Sequence, residues 1–475
     1  MPAAISHVSP YSGSWYPDDA HELNELLERL FADSRERTGP YLAPRAAGFV
    51  VPHAGLVYSG TVAAAAYRHL ERTRAERVVL LGFCHRGAPP GIWIPRVDAF
   101  QTPLGEIAVD RELADDLVQR PEFGSLPESH LCDHSVEIQL PLLKKAVPGA
   151  RLLPVYVSDV DPSTREAAGR ALAERLPPDA ALVASSDFTH YGKAFHYEPF
   201  PADAWVGDRL RGLDESLMEA AGSLRPELFF QSLRSTAATL CGYQPIGLLL
   251  ATLRAREASE EIFQETLDYQ TSGEITGDYH RSVSYAALGY FPHTAFHLDQ
   301  DDQKRLLEGA RRTLRHYQQT GERKPIPAES GSGALQRRAG AFVTLHKEGR
   351  LRGCVGHRAA AEPLSSSVPE LTLAAALDDS RFESMSPEET GIDIEISVLS
   401  PFKRIPDRAS FRVNEHGAWL EAGRHHGLLL PQVATERRWT ADEFFEALAR
   451  KAGAGSQVYR DPATRLFVFR AQIIH

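Results

Sequence analysis

The sequence predicts an α/β protein with a mostly parallel sheet flanked by helices, followed by a second domain of α+β type. Three observations carry this reading. The runs 48-GFVVP, 78-VVLLG, 151-RLLPVYV and 181-ALVAS are unbroken rather than alternating in apolarity, as strands covered on both faces require. Helical patterns separate them. After 292-PHTAFHLDQDD the texture changes, in a chain of 475 residues that is too long for one ordinary core.

Taken in order, residues 21–31 set Leu23, Leu26, Leu27, Leu30 and Phe31 on one helical face, with Asp18 and Asp19 as N-caps. Helices are also expected at 61-TVAAAAYRHL, 111-RELADDLVQ and 164-TREAAGRALAERL, and 283-VSYAALGYF reads as a last strand. The boundary falls near residue 297, giving domains 1–296 and 297–475. An amphipathic helix at 302–317 opens the second domain, and a polar Gly/Ser stretch, 320-TGERKPIPAESGSG, follows. Strand-like runs at 340-GAFVTLHK, 393-DIEISVL, 417-GAWLEA, 427-GLLLPQV and 465-RLFVFRAQII, interrupted by a helix at 440–452, suggest a largely antiparallel sheet.

Composition narrows the function. With 52 Lys and Arg against 63 Asp and Glu the formal charge is -11, which argues against a nucleic-acid backbone as main partner. The longest apolar runs fall short of the roughly 20 residues of a membrane span, and the N-terminus lacks the basic start and apolar block of a secretory signal. Four cysteines, Cys84, Cys132, Cys241 and Cys354, do not make a disulfide framework in so long a chain. They read as reduced thiols of a cytoplasmic protein.

Three predicted strands run into metal-ligating or acid/base chemistry. The first leads to His53, the second to His85, and the fourth to Asp187 with His190 three residues on. The carboxyl ends of parallel strands share one edge, where ligands bind in open α/β sheets. Cys241 stands just ahead of the apolar helical run 243–253, where a helix N-terminus is expected to favour the thiolate. Two imidazoles and a thiolate make a soft site for iron, copper or zinc with positions left open. Asp187 and His190 are then candidates for orienting or acid/base work. Each residue taken singly also fits a hydrogen-bonded or packed side chain; the shared edge lifts the set above that. His134 and Glu137, three apart in 133-DHSVEIQLP, form a second pair on one helical face, with Asp133 or Ser135 as cap. Gly55 and Gly60 read as turn residues, since no Lys follows to make a phosphate loop.

The stretches 14-SWYP, 52-PHAGLVYSG, 80-LLGFCH, 102-TPLGEIAVD, 133-DHSVEIQLPLL, 185-SSDFTHYG, 241-CGYQPI and 269-YQTSGE resemble the Memo family, in order, over nearly all of residues 8–291. That family is similar in fold to class III extradiol dioxygenases. The resemblance implies a metal site at His53, His85 and Cys241, with Asp187, His190 and His134 beside it. Cys241 stands where the dioxygenases have a carboxylate, which sets this chain apart from ordinary catechol cleavage. Phe83-Cys84 replaces the family's usual Pro-Ser.

In the second domain, 351-LRGCVGH reads as a tight turn that exposes Cys354 between glycines, with Arg352 favouring its thiolate; a buried packing cysteine is the alternative. Asp378, Asp379 and Arg381 suggest an ion-pair and turn network. The strings 340-GAFVTL, 351-LRGCVG, 375-AALDDSRF, 393-DIEISVLSP and 427-GLLLPQVA resemble the AMMECR-type domain over roughly residues 300–475. Both resemblances imply a radical S-adenosylmethionine protein as partner. The chain lacks C-x-x-x-C-x-x-C spacing, so the iron–sulfur component must be a separate protein. The leading expectation is therefore an iron- or copper-dependent oxidoreductase acting on a small molecule. A phosphopeptide- or anion-binding adaptor and a zinc-dependent hydrolase are the alternatives.

Overall fold

The computed structural model describes residues 4–257, 259–329, 331 and 333–475; Ser330 and Ser332 of the polar stretch and the first three residues of the N-terminus lie outside them. The chain forms two compact units. One comprises the residues up to Thr38 together with Ala43–Ala295, and the other Gly39–Leu42 together with Phe296–His475.

The first unit is built on a nine-stranded sheet. At its centre Gly48–Val51, Ala181–Ser185, Arg77–Gly82 and Arg151–Val157 lie side by side, all parallel. Alternate residues of these strands meet different helices. Phe49, Val51 and Val183 pack with Ala66, Tyr67 and Leu70 of the helix Leu56–Thr73, while Val50, Leu182 and Ala184 join Leu248 and Leu249 of the helix Tyr243–Arg256 in one core. Both faces are buried, which is why the strand sequences show no alternation. The margins are mixed. Arg281–Pro292 runs antiparallel to Gly48–Val51 and pairs with Ile262–Thr271, and Ile92–Arg96 is antiparallel to Arg151–Val157. A buried antiparallel strand has the same unbroken apolarity as a parallel one, so the sequence pattern does not separate them.

The second unit is α+β, with two antiparallel four-stranded sheets. The helices Gln300–Thr320 and Leu364–Leu377 share a core with the first sheet, and Ala441–Lys451 covers the second. The run at 427 divides into the strand His425–Leu429 and a helix that begins at Pro431. Proline at the first helical position has no N–H to lose there.

The segment expected as a tight turn is the strand Arg350–His357, and this corrects the reading of its glycines. A Cβ on Gly353 would lie 2.0 Å from the Ala375 carbonyl oxygen, and one on Gly356 would meet the Phe342 ring. The glycines permit close approach by a helix and by a neighbouring strand; they do not bend the chain. No helix among the described residues is long and apolar enough to cross a membrane.

Candidate metal centre at the sheet edge

His53, His85 and Asp187 follow the ends of three adjacent parallel strands, so the parallel register delivers them to one place. The buried His53 is fixed at three points. Its backbone N–H donates to Asp187 Oδ1 (2.8 Å), its Nδ1 lies 2.9 Å from Ser185 Oγ, and its Nε2 lies 3.1 Å from Cys241 Sγ. Behind Ser185, the Gln139 amide donates to Ser185 Oγ and to the Pro52 carbonyl, and accepts from Tyr67 Oη. This buried chain sets the ring's rotation.

His85 is held by Asp133, whose Oδ2 accepts from the His85 N–H (3.0 Å) and whose Oδ1 lies 2.8 Å from His85 Nδ1. The same carboxylate caps the short helix His134–Glu137 by accepting from Ser135 N. That cap places His134 flat against His85, with ring centroids 3.8 Å apart, and 5.4 Å from the ring of His53. Trp15 backs His134 at 4.5 Å. Glu137 departs from the expected pair: it is fully buried, 3.2 Å from His7 Nε2, and serves the interior rather than the site.

Cys241 precedes the helix Tyr243–Arg256, with Gly242 as its N-cap. A Cβ on Gly242 would come within 2.3 Å of the Ser185 carbonyl oxygen, so glycine lets this turn sit on the strand end. Asp187 N donates to Cys241 Sγ (3.3 Å). The His190 backbone N–H donates to Thr239 Oγ1, and His190 Nδ1 contacts the Thr239 carbonyl oxygen at 2.8 Å. A backbone group therefore orients His190, making Nδ1 the N–H donor and leaving Nε2 as the basic nitrogen.

Two overlapping sets of ligating atoms result, each mutually within 4.8 Å: His53, His85 and His134, and His53, Asp187 and Cys241. His53 belongs to both. The expected trio of His53, His85 and Cys241 is thus divided between them, with His134 and Asp187 completing each set. The electrostatics revise one expectation. Burial, reinforced by Asp187, pushes the Cys241 thiol up, so the helix N-terminus does not by itself produce a thiolate. Burial and the neighbouring imidazoles hold His53 well below its ordinary value, and burial takes His134 down to about 4. Burial raises the Asp187 carboxyl, with His190 opposing. Burial of Asp133 is outweighed by its bonds to His85 and the attraction of His134, leaving it low.

In the second unit Arg352 is drawn away from Cys354, pairing with Glu389 at 2.9 and 3.0 Å. The half-buried Cys354 accepts from Thr344 Oγ1 (3.3 Å), and its N–H donates to Asp379, which also binds Arg381. Asp378 pairs with Arg323 instead.

The class defined here is an α/β protein with an imidazole, thiol and carboxylate cluster at the carboxyl edge of its parallel strands. Residues 9–289 match the family model described as Memo-like protein, and the chain belongs to that family. Residues 307–474 match the AMMECR1 model. A MEMO1 family protein of Aquifex aeolicus is 34% identical over 281 residues, covering 58% of this chain and 96% of its own. The Protein memo-1 homolog of Caenorhabditis elegans is 29% identical over 291 residues, covering 60% and 82% respectively. A crystal structure of an uncharacterized protein from Pyrococcus horikoshii aligns with a TM-score of 0.34 at 32% identity, over 35% of this chain and 88% of that one.

Sequence reasoning missed two parts of the site. Asp133 was read only as a helix cap, although the Asp-His adjacency in 133-DHSVE is itself a signal for a carboxylate that orients an imidazole. The Ser185–Gln139–Tyr67 chain left no local signal, because its members come from three distant segments.

Proposed function

We propose that the first domain holds one redox-active metal ion, iron or copper, through His53, His85 and Cys241, with His134 and Asp187 within reach, and that it is a dioxygenase-like oxidoreductase acting on a small molecule. The observation that carries this is the approach of Cys241 Sγ to 3.1 Å from His53 Nε2, inside a cluster where His53 joins both ligating sets.

The donors suit such an ion, with His53 common to the two ligating sets that hold His85 and Cys241. Nδ1 of His53 and of His85 is occupied by Ser185 and Asp133, so Nε2 is the nitrogen available, and outer partners of this kind raise ligand basicity and fix the ring. Imidazoles held below their ordinary pKa keep their lone pairs at neutral pH. A thiol held up by burial loses its proton, to solvent or a neighbouring base, only when a cation binds the sulfur, so loading the site releases a proton. When bound, the metal supplies a site where dioxygen or a substrate oxygen is activated. The chain's own contribution is positional: Asp133 aims His85, Ser185 and Gln139 aim His53, and His190 Nε2 can take a proton from a substrate hydroxyl.

Neutral imidazoles and two carboxylates do not make a cradle for phosphate, which counts against the phosphopeptide reading. Zinc would fit the same donors, and the absorption spectrum separates it from iron or copper. On the family resemblance, the partner we propose is a radical S-adenosylmethionine protein. Elemental analysis of the anaerobically purified full chain tests the metal site. We expect close to one iron or copper ion per chain, reduced at least tenfold in His53→Ala and Cys241→Ala. Stoichiometric metal retained in both variants would reject the assignment.

A further inference from the structure

Beside the imidazole cluster opens a cavity of about 570 Å³, within the range of small-molecule sites. Its aromatic wall is Trp15, Tyr16 and Tyr58, with Val57 at the rim. Trp15 is the ring that backs His134, and Gly55, also lining the cavity, is two residues beyond His53. The cavity therefore adjoins the cluster through Trp15, although none of the cluster's own side chains lines it. Val57 and Tyr58 are 67% and 46% exposed, an unusual amount of open apolar surface for residues next to a buried polar site.

The charge of this cavity is one-sided. Asp18 and Glu22 line it, and no Lys or Arg does among the described residues. The Arg86 guanidinium, which acts on the cluster's Asp133, is turned to the Cys132 carbonyl, 2.6 Å away. Aromatic faces beside carboxylates, without a compensating cation, favour a ligand that is itself aromatic and positively charged: the rings stack on its body and attract its cation, while the carboxylates pair with it.

We infer that the molecule entering this cavity is a small aromatic bearing a protonated amine, with Trp15 and Tyr58 on its ring and Asp18 and Glu22 at its ammonium group. This rests on the metal-site reading only for what happens to the ring; the selection of charge belongs to the cavity and does not need the metal.

Three probes of matched ring size isolate the charge: tyramine, 4-ethylphenol and 4-hydroxyphenylacetate. Calorimetric titration of the full chain, at low ionic strength, is expected to give tyramine about tenfold tighter binding than 4-hydroxyphenylacetate. In D18N/E22Q the two should come within about twofold, while 4-ethylphenol binds as before. Equal or tighter binding of the carboxylate probe, survival of the preference in the double variant, or no binding of any probe would overturn the inference. Metal content measured on the same samples keeps the two readings apart. Cation preference without metal leaves the cavity assignment standing and removes the metal site; metal without cation preference does the reverse.

Discussion

The two domains place cysteines beside glycines in similar-looking strings, 240-LCGYQP and 351-LRGCVG, and the structure uses them differently. Gly242 lets a helix start press against a strand end, so that Cys241 reaches an imidazole 188 residues away in sequence. Gly353 lets a helix press against the middle of a strand, and Cys354 meets Thr344 on the neighbouring strand. The carboxyl edge of a parallel sheet gathers remote side chains; the middle of an antiparallel ladder mainly pairs neighbours. A cysteine's setting, rather than its flanking glycines, decides whether it joins a cluster.

Adding one methyl at each glycine is the strongest way to break this comparison. Gly242→Ala puts a Cβ 2.3 Å from the Ser185 carbonyl oxygen, and we expect a loss of about 2–4 kcal/mol together with most of the metal. Gly353→Ala meets the Ala375 carbonyl oxygen at 2.0 Å. We expect a similar loss in the second domain, with metal content unchanged. Thermal unfolding with metal analysis on each variant reads both, and equal metal loss in the two would erase the distinction.

A milder change sharpens the account of the first site. Asp133→Asn keeps the shape but removes the charge that holds His85 and leans on His134. Loss of such an outer partner lowers metal affinity by about 10–100-fold, measurable by competition with a chelator. An unchanged affinity would mean that His85 is not a ligand.

Acid gives the smallest effect. His134 is held at about 4 in the fold, below the roughly 6.5 of an unfolded histidine. Between these values the unfolded chain binds more protons, so stability rises with pH. The metal-free protein should lose stability steadily from pH 6.5 down to about 4, and His134→Gln should flatten that slope in denaturant titrations. An identical slope in the variant would assign the acid response to other groups.

Much of the first site was legible because its elements obey simple rules. Unbroken apolar runs marked strands buried on both faces, and parallel neighbours necessarily share an edge, so His53, His85 and Asp187 could be grouped before any coordinates. The mixed margins were not legible, since burial erases alternation in either direction. The state of Cys241 was misjudged because the few N–H groups of a helix start are weaker than burial next to Asp187. Arg352 was misplaced for a different reason. Local sequence set it beside Cys354, and only the fold brings up Glu389, a carboxylate that matches its guanidinium at two points.

X-ray absorption at the metal edge of the anaerobically loaded full chain is the most direct measurement. Sulfur ligation predicts one sulfur scatterer at about 2.3 Å with nitrogen at about 2.0–2.1 Å, the sulfur signal vanishing in Cys241→Ser. A shell of nitrogen and oxygen alone, identical in the two proteins, would contradict it.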